Sequence, residues 1–126
     1  MRALGRVEYE PTWRAMQDFT AQRSSDTPDE IWLLEHPPLY TAGTSARAED
    51  LVAPDRFPVH VAGRGGQYTY HGPGQVVGYP VIDLSPDRRD VHRYVRDLEE
   101  VLLRTCADYG IEAGRVLPGV AEGRIV

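Results

Sequence analysis

Arg64-Gly65-Gly66, continued by Gln67-Tyr68-Thr69-Tyr70-His71, is the stretch whose residue types and spacing best suit chemistry. Two adjacent glycines beside a permanent cation let consecutive backbone N–H groups turn inward, which makes a pocket for an anion or a carbonyl. Alternation along a strand puts Tyr68 and Tyr70 on one side and Gln67, Thr69 and His71 on the other, one face aromatic and one polar. Gly72-Pro73-Gly74 then reverses the chain and Gln75-Val76-Val77 starts a second strand, so a hairpin with a glycine-rich entrance is expected. An ordinary hairpin with two tight turns has the same glycines; Arg64 and His71 at its two ends weigh against that plain reading.

Nucleotide-binding readings of these glycines fail on context. A dinucleotide fingerprint needs its third glycine where Tyr68 stands, and a helix rather than a strand after it. A phosphate loop of the Walker kind needs a lysine, and the chain has none.

Arg64-Gly65-Gly66-Gln67-x-Thr69-Tyr70-His71-Gly72-Pro73-Gly74-Gln75, followed by Gly78-Tyr79-Pro80, resembles the signature of the octanoyltransferases of lipoate biosynthesis. Leu34-Glu35-His36-Pro37-Pro38-Leu39-Tyr40-Thr41-Ala42-Gly43 is similar to a second block of that family, at the family's spacing. The resemblance runs from about Leu4 to about Val120. It implies an α+β fold, a mixed β-sheet covered by helices, shared with the catalytic domains of biotin and lipoate ligases. It further implies transfer of an octanoyl group from octanoyl-acyl carrier protein to a lysine of a lipoyl domain, with no cofactor and no metal.

In that family a cysteine carries the octanoyl group and a lysine activates it. Both belong to segments downstream of Val126, so residues 1–126 are expected to form a single octanoyltransferase-like domain that is C-terminally truncated and inactive alone. Arg124 is no substitute for the lysine, because a guanidinium does not trade protons. What carries over is the substrate-binding part: Arg64, Gly65, Gly66, Gln67, Tyr68, Thr69, Tyr70 and His71. The glycines would admit the acyl group and present N–H groups to its carbonyl. Thr69 and His71 would order the polar end, with His71 as a proton shuttle. Tyr68 and Tyr70 would pack behind the loop, and Arg64 would hold it through backbone carbonyls or meet the acidic carrier protein. Two alternatives stay open, an adenylate-forming ligase and a non-catalytic module that binds acyl chains or carrier protein.

The single cysteine, Cys106, lies on a helix stripe near the helix C-terminus, where the macrodipole disfavours negative charge; it reads as a packing residue. One cysteine also excludes an internal disulfide and any cysteine-cluster metal site. A net charge of -5 without a basic run leaves no footprint for nucleic acid. No apolar run reaches membrane-spanning length and no secretory block opens the chain, so a cytoplasmic protein is expected.

The elements that must position these residues follow from periodicity. Trp13, Met16, Phe19 and Thr20 predict an amphipathic helix over 12–22, with Trp13 and Phe19 in the core. Ile31 to Leu34 reads as a buried strand, Leu39 to Ala42 as another stopped by Gly43, and Val59 to Val61 as a third. His36 between the first two reads as a turn histidine, a polar pocket group being the alternative. A helical turn is expected around Ala48 to Leu51. Val76 to Leu84 reads as a strand that Pro80 confines to an edge or a bulge. Asp90 caps a long helix over 91–109 closed by Gly110, and Arg115-Val116-Leu117 begins a last strand. Both helices are expected on one face of one mixed sheet.

Overall fold

The computed structural model describes residues 1–85 and 90–115. Packing divides the chain into two compact units, Met1–Asp83 and Leu84–Val126.

The first unit holds six strands and one helix: β1 (Arg2–Arg6), α1 (Tyr9–Ala21), β2 (Glu30–Glu35), β3 (Leu39–Ala42), β4 (Val59–Val61), β5 (Tyr68–His71) and β6 (Val77–Val81). They form two mixed three-stranded sheets, ordered β1-β2-β6 and β4-β3-β5. The expected class is therefore present, but the strands are divided between two sheets rather than joined in one.

In the first sheet β2 runs parallel to β1 and antiparallel to β6. Trp32, Leu34 and Tyr79 share the face that meets α1, where the Phe19 and Trp32 rings meet edge to face at 6.2 Å. Pro80 stands opposite Ile31 on an edge strand, where a missing N–H is tolerated. In β1 the register slips between Ala3 and Gly5, and Gly5 takes φ +67°, a conformation that glycine alone adopts freely.

In the second sheet, β3 pairs parallel with β4 and antiparallel with β5. Thr41, His60 and Thr69 face one way, and Tyr40, Val59 and Tyr70 the other. The buried apolar side chains are Tyr9, Trp32, Leu34, Leu39, Ala42 and Ala62, distributed over α1 and both sheets. Burial of one such large side chain is worth about 1.5–3 kcal/mol.

Three expectations are corrected here. The hairpin does not form: Gly72-Pro73-Gly74 turns the chain, with Gln75 N–H donating to Gly72 O at 3.1 Å, but β5 pairs with β3 and β6 with β2. The turn hands the chain from one sheet to the other. Helix α1 also starts earlier, at Tyr9, which leaves Pro11 within the first turn, where its missing N–H costs nothing. That start buries Tyr9 and Thr12 and leaves Trp13 40 % exposed, so Trp13 is not core.

The second unit is built on α2 (Val91–Asp108), whose N-cap Asp90 accepts the Arg93 N–H at 3.0 Å. Gly110 at φ +73° closes it, with Ile111 N–H returning to Cys106 O. Arg115 ties back to Glu99 and Glu100 at 3.0 and 2.9 Å. The strand expected from Arg115 to Leu117 falls outside the described residues beyond its first member. The short turn expected near Ala48 is a 3-10 helix over Ala48–Asp50.

Candidate functional site

A cleft of about 570 Å³ opens within the first unit. Helix α1 gives it Tyr9, Trp13, Met16 and Gln17; β3 gives Thr41, the loop after β4 Gly63 and Arg64, β5 His71 and β6 Tyr79. One wall is apolar and helical, the other polar and made of strand residues from both sheets.

His36 anchors the polar side. It follows β2 just before Pro37-Pro38, is fully buried, and uses both ring nitrogens: Nδ1 lies 2.7 Å from Val7 O and Nε2 2.9 Å from Tyr79 Oη. A carbonyl only accepts, so Nδ1 carries the proton, Nε2 is the acceptor, and the Tyr79 hydroxyl donates to it. That assignment belongs to the neutral ring, which burial, the largest influence, favours by lowering the His36 pKa. Burial likewise pushes the Tyr79 hydroxyl up to about 12. His36 is thus the hydrogen-bonded turn histidine expected after β2, and it is buried rather than solvated.

Arg64 folds back on its own neighbourhood. Nη1 donates to Gly65 O and Gln67 O at 2.9 and 3.2 Å, and Nη2 reaches Thr41 O, Thr41 Oγ1 and Thr69 Oγ1 at 3.1, 2.8 and 2.9 Å. Thr41 Oγ1 accepts from Arg64 and lies 3.3 Å from His71 Nε2, to which it donates when the His71 proton is on Nδ1. His71 Nδ1 then donates to Gln75 Oε1 at 2.7 Å, and Gln75 Nε2 to Tyr70 O at 3.3 Å. The result is one oriented chain from a guanidinium through a hydroxyl to an imidazole.

The glycine loop is held from its carbonyl side. Arg64 O, Gly66 O and Gln67 O accept the N–H groups of Thr44, Ser45 and Gly43 at 2.9, 3.0 and 3.1 Å. In a trans peptide the next N–H points away from such a carbonyl, so Gly65 and Gln67 turn theirs outward. No acceptor among the described residues takes them. Gly66 alone of the pair adopts positive φ, +85°.

Of the eight residues marked from sequence, Arg64 and His71 line the cleft and Thr69 holds Arg64 from behind. Gly65, Gly66 and Gln67 lie on the strap against Gly43–Ser45. Tyr68 and Tyr70 face away, and Tyr70 packs on Tyr40 and Phe57 with centroids 5.9 and 5.6 Å apart. Sequence reasoning missed Tyr9, Thr41, Gly43 and Tyr79 as site residues. Tyr79 and Thr41 lay inside the two quoted blocks, which was the available signal; Tyr9 had none. Cys106 lines a cavity of its own unit with Leu102, Leu103 and Arg115.

Two mixed sheets and a flanking helix around an open cleft define an α+β domain. Residues 8–118 match the family model described as the lipoyl protein ligase A/B catalytic domain, and the chain belongs to that family. It is 58 % identical over 117 residues to an octanoyltransferase of Cereibacter sphaeroides, covering 89 % of this chain and 54 % of the relative. Octanoyltransferases of Laribacter hongkongensis and Thiobacillus denitrificans are 50 % and 52 % identical over 98 % and 91 % of this chain, and 60 % and 53 % of their own lengths. The chain spans about half the length of the curated relatives it matches.

Proposed function

We propose that this chain forms the acyl-binding part of an octanoyltransferase of lipoate biosynthesis, which moves an octanoyl group from acyl carrier protein to a lysine of a lipoyl domain. The observation that carries this reading is the engagement of Arg64: both its terminal nitrogens are occupied by neutral oxygens of the loop and of Thr41 and Thr69. With its fork filled, Arg64 offers no free cation to a carboxylate or a phosphate, whereas an acyl thioester is neutral and needs only a carbonyl donor and an apolar channel. Trp13 and Met16 supply apolar wall for the alkyl tail. The octanoyltransferase relatives point the same way.

In this reading Arg64 shapes the loop, Thr69 and Thr41 hold Arg64, and His71, already accepting from Thr41, receives or returns a proton at Nε2. The outward N–H groups of Gly65 and Gln67 and the rest of the loop serve the substrate's polar arm, with Gly66 giving the bend and Tyr68 and Tyr70 the support. The transfer itself passes through a cysteine thioester, a part not assigned to Cys106, and takes place in the cytoplasm. An adenylate-forming ligase is the second reading, and the octanoyltransferase relatives favour the transferase over it.

Intact mass after mixing the chain with octanoyl-acyl carrier protein, before and after hydroxylamine, tests this. The expected result is saturable binding without a covalent adduct, together with octanoyl transfer to a lipoyl domain by the whole gene product. A hydroxylamine-labile adduct on this chain would place the nucleophile at Cys106 and overturn the division of labour. No transfer by the whole gene product, with ATP-pyrophosphate exchange driven by free octanoate, would replace the transferase by a ligase.

A further inference from the structure

The side-chain donors around the cleft are nearly all engaged within the protein. Arg64 Nη1 and Nη2 are taken by loop and threonine oxygens, Thr41 donates to His71, His71 to Gln75, and Tyr79 to His36. Besides the half-buried His60, Tyr9 is the exception in the interior. Its side chain is 8 % exposed, its ring packs on His36 and His60 with centroids 5.5 and 4.9 Å away, and it lines the cleft, yet no described residue accepts from its hydroxyl. Trp13 and Gln17 also lack a partner for their N–H groups, but both are exposed and water serves them.

The hydroxyl is not sealed off: the buried side-chain atom without a partner among the described residues is Arg23 Nε, so the Tyr9 hydroxyl reaches the open cleft, where a ligand or water can accept from it. The helix start explains why it is there: Glu8 is the extended residue before α1, so Tyr9 is the first helical side chain and turns inward between the two sheets. Burial raises its pKa, so the group stays a neutral donor, and the charge of Arg64 acts on it in the opposite sense. The same charge would favour negative charge growing on an oxygen held at that hydroxyl.

We propose that the Tyr9 hydroxyl donates a hydrogen bond to the carbonyl oxygen of the bound acyl group and so polarises it for attack. The proposal rests on the acyl-binding reading above and gives Tyr9 a catalytic role in it. No covalent step occurs at Tyr9; its proton stays on the phenol throughout.

The test uses octanoyl-pantetheine carrying ¹³C at the thioester carbonyl, bound to the chain and to Tyr9→Phe and followed by carbon NMR. Phenylalanine keeps the ring contacts with His36 and His60 and removes only the donor. The expected result is a downfield carbonyl shift on binding to the native chain that is lost in Tyr9→Phe, while line broadening shows that both bind. Fluorinated tyrosine at position 9, a stronger donor, should enlarge the shift, which keeps the test open if Tyr9→Phe folds poorly. In the whole gene product kcat should fall roughly 10²-fold with KM little changed, the usual consequence of removing one such donor. Binding with the same shift in both proteins would overturn the role of Tyr9 and leave the acyl-binding reading standing. Absence of binding to either would overturn both.

Discussion

A methyl group added at Gly43 would stand 2.3 Å from Gly66 O and 2.7 Å from Gly65 O. Both atoms are backbone, so the loop rather than a side chain would have to retreat, and it carries Arg64 with it. Gly43→Ala should therefore lower stability by about 1–3 kcal/mol, the usual range for overpacking. Urea denaturation reads that loss, and hydrogen exchange should quicken at Thr44 and Ser45, whose N–H groups hold the loop. Unchanged exchange there would refute the coupling. From sequence Gly43 is only a strand stop, because the carbonyls it faces come from residues more than twenty positions on. His36 and Tyr9 were opaque for the same reason. Their partners Val7, Tyr79 and His60 lie on separate elements, and no local pattern encodes that meeting. Arg64 and His71 were legible, since an arginine before two glycines and a histidine at a strand end are unusual locally.

Among the elements, β2, β3, β4 and α2 were readable because short apolar runs, stop residues and an N-cap are local signals. The partner of a strand is not local, and the segments on either side of Gly72–Gly74 illustrate it. Tyr70 is drawn to Tyr40 and Phe57, which fixes β5 on β3; Tyr79 is drawn beside Trp32, which fixes β6 on β2. Aromatic cross-strand pairs contribute roughly 0.2–1 kcal/mol each, enough to settle a choice between alternative pairings. Tyr70→Ala should accordingly loosen one sheet alone. Amide exchange is expected to rise across Leu39–Ala42 and Val59–Val61 and to stay as it was in Glu30–Glu35. A uniform rise in both sheets would mean that they unfold as one unit and that the aromatic cluster is incidental.

For the whole molecule, acid is the condition that should matter most. His36 ordinarily titrates near 6.5, and burial lowers that value in the folded protein, with His71 and His60 adding repulsion and Val7 O and Glu8 opposing. The unfolded chain thus binds the proton more readily. The contribution of neutral His36 is fully present above about pH 6.5 and is lost as pH falls through the folded-state value. Urea midpoints measured from pH 8 down to pH 5 should decline on the acid side, and the decline should be shallower in His36→Gln, which does not titrate there. Equal slopes in the two proteins would assign the acid sensitivity to other groups.

The way Arg64 is held has a consequence for the surroundings of the protein as well as for its substrate. An ion pair weakens as counter-ions crowd in, because dissolved salt screens charge against charge. Here a full positive charge is secured by carbonyls and hydroxyls, none of which carries a charge for salt to shield. The cleft should keep its shape in dilute buffer and in brine alike.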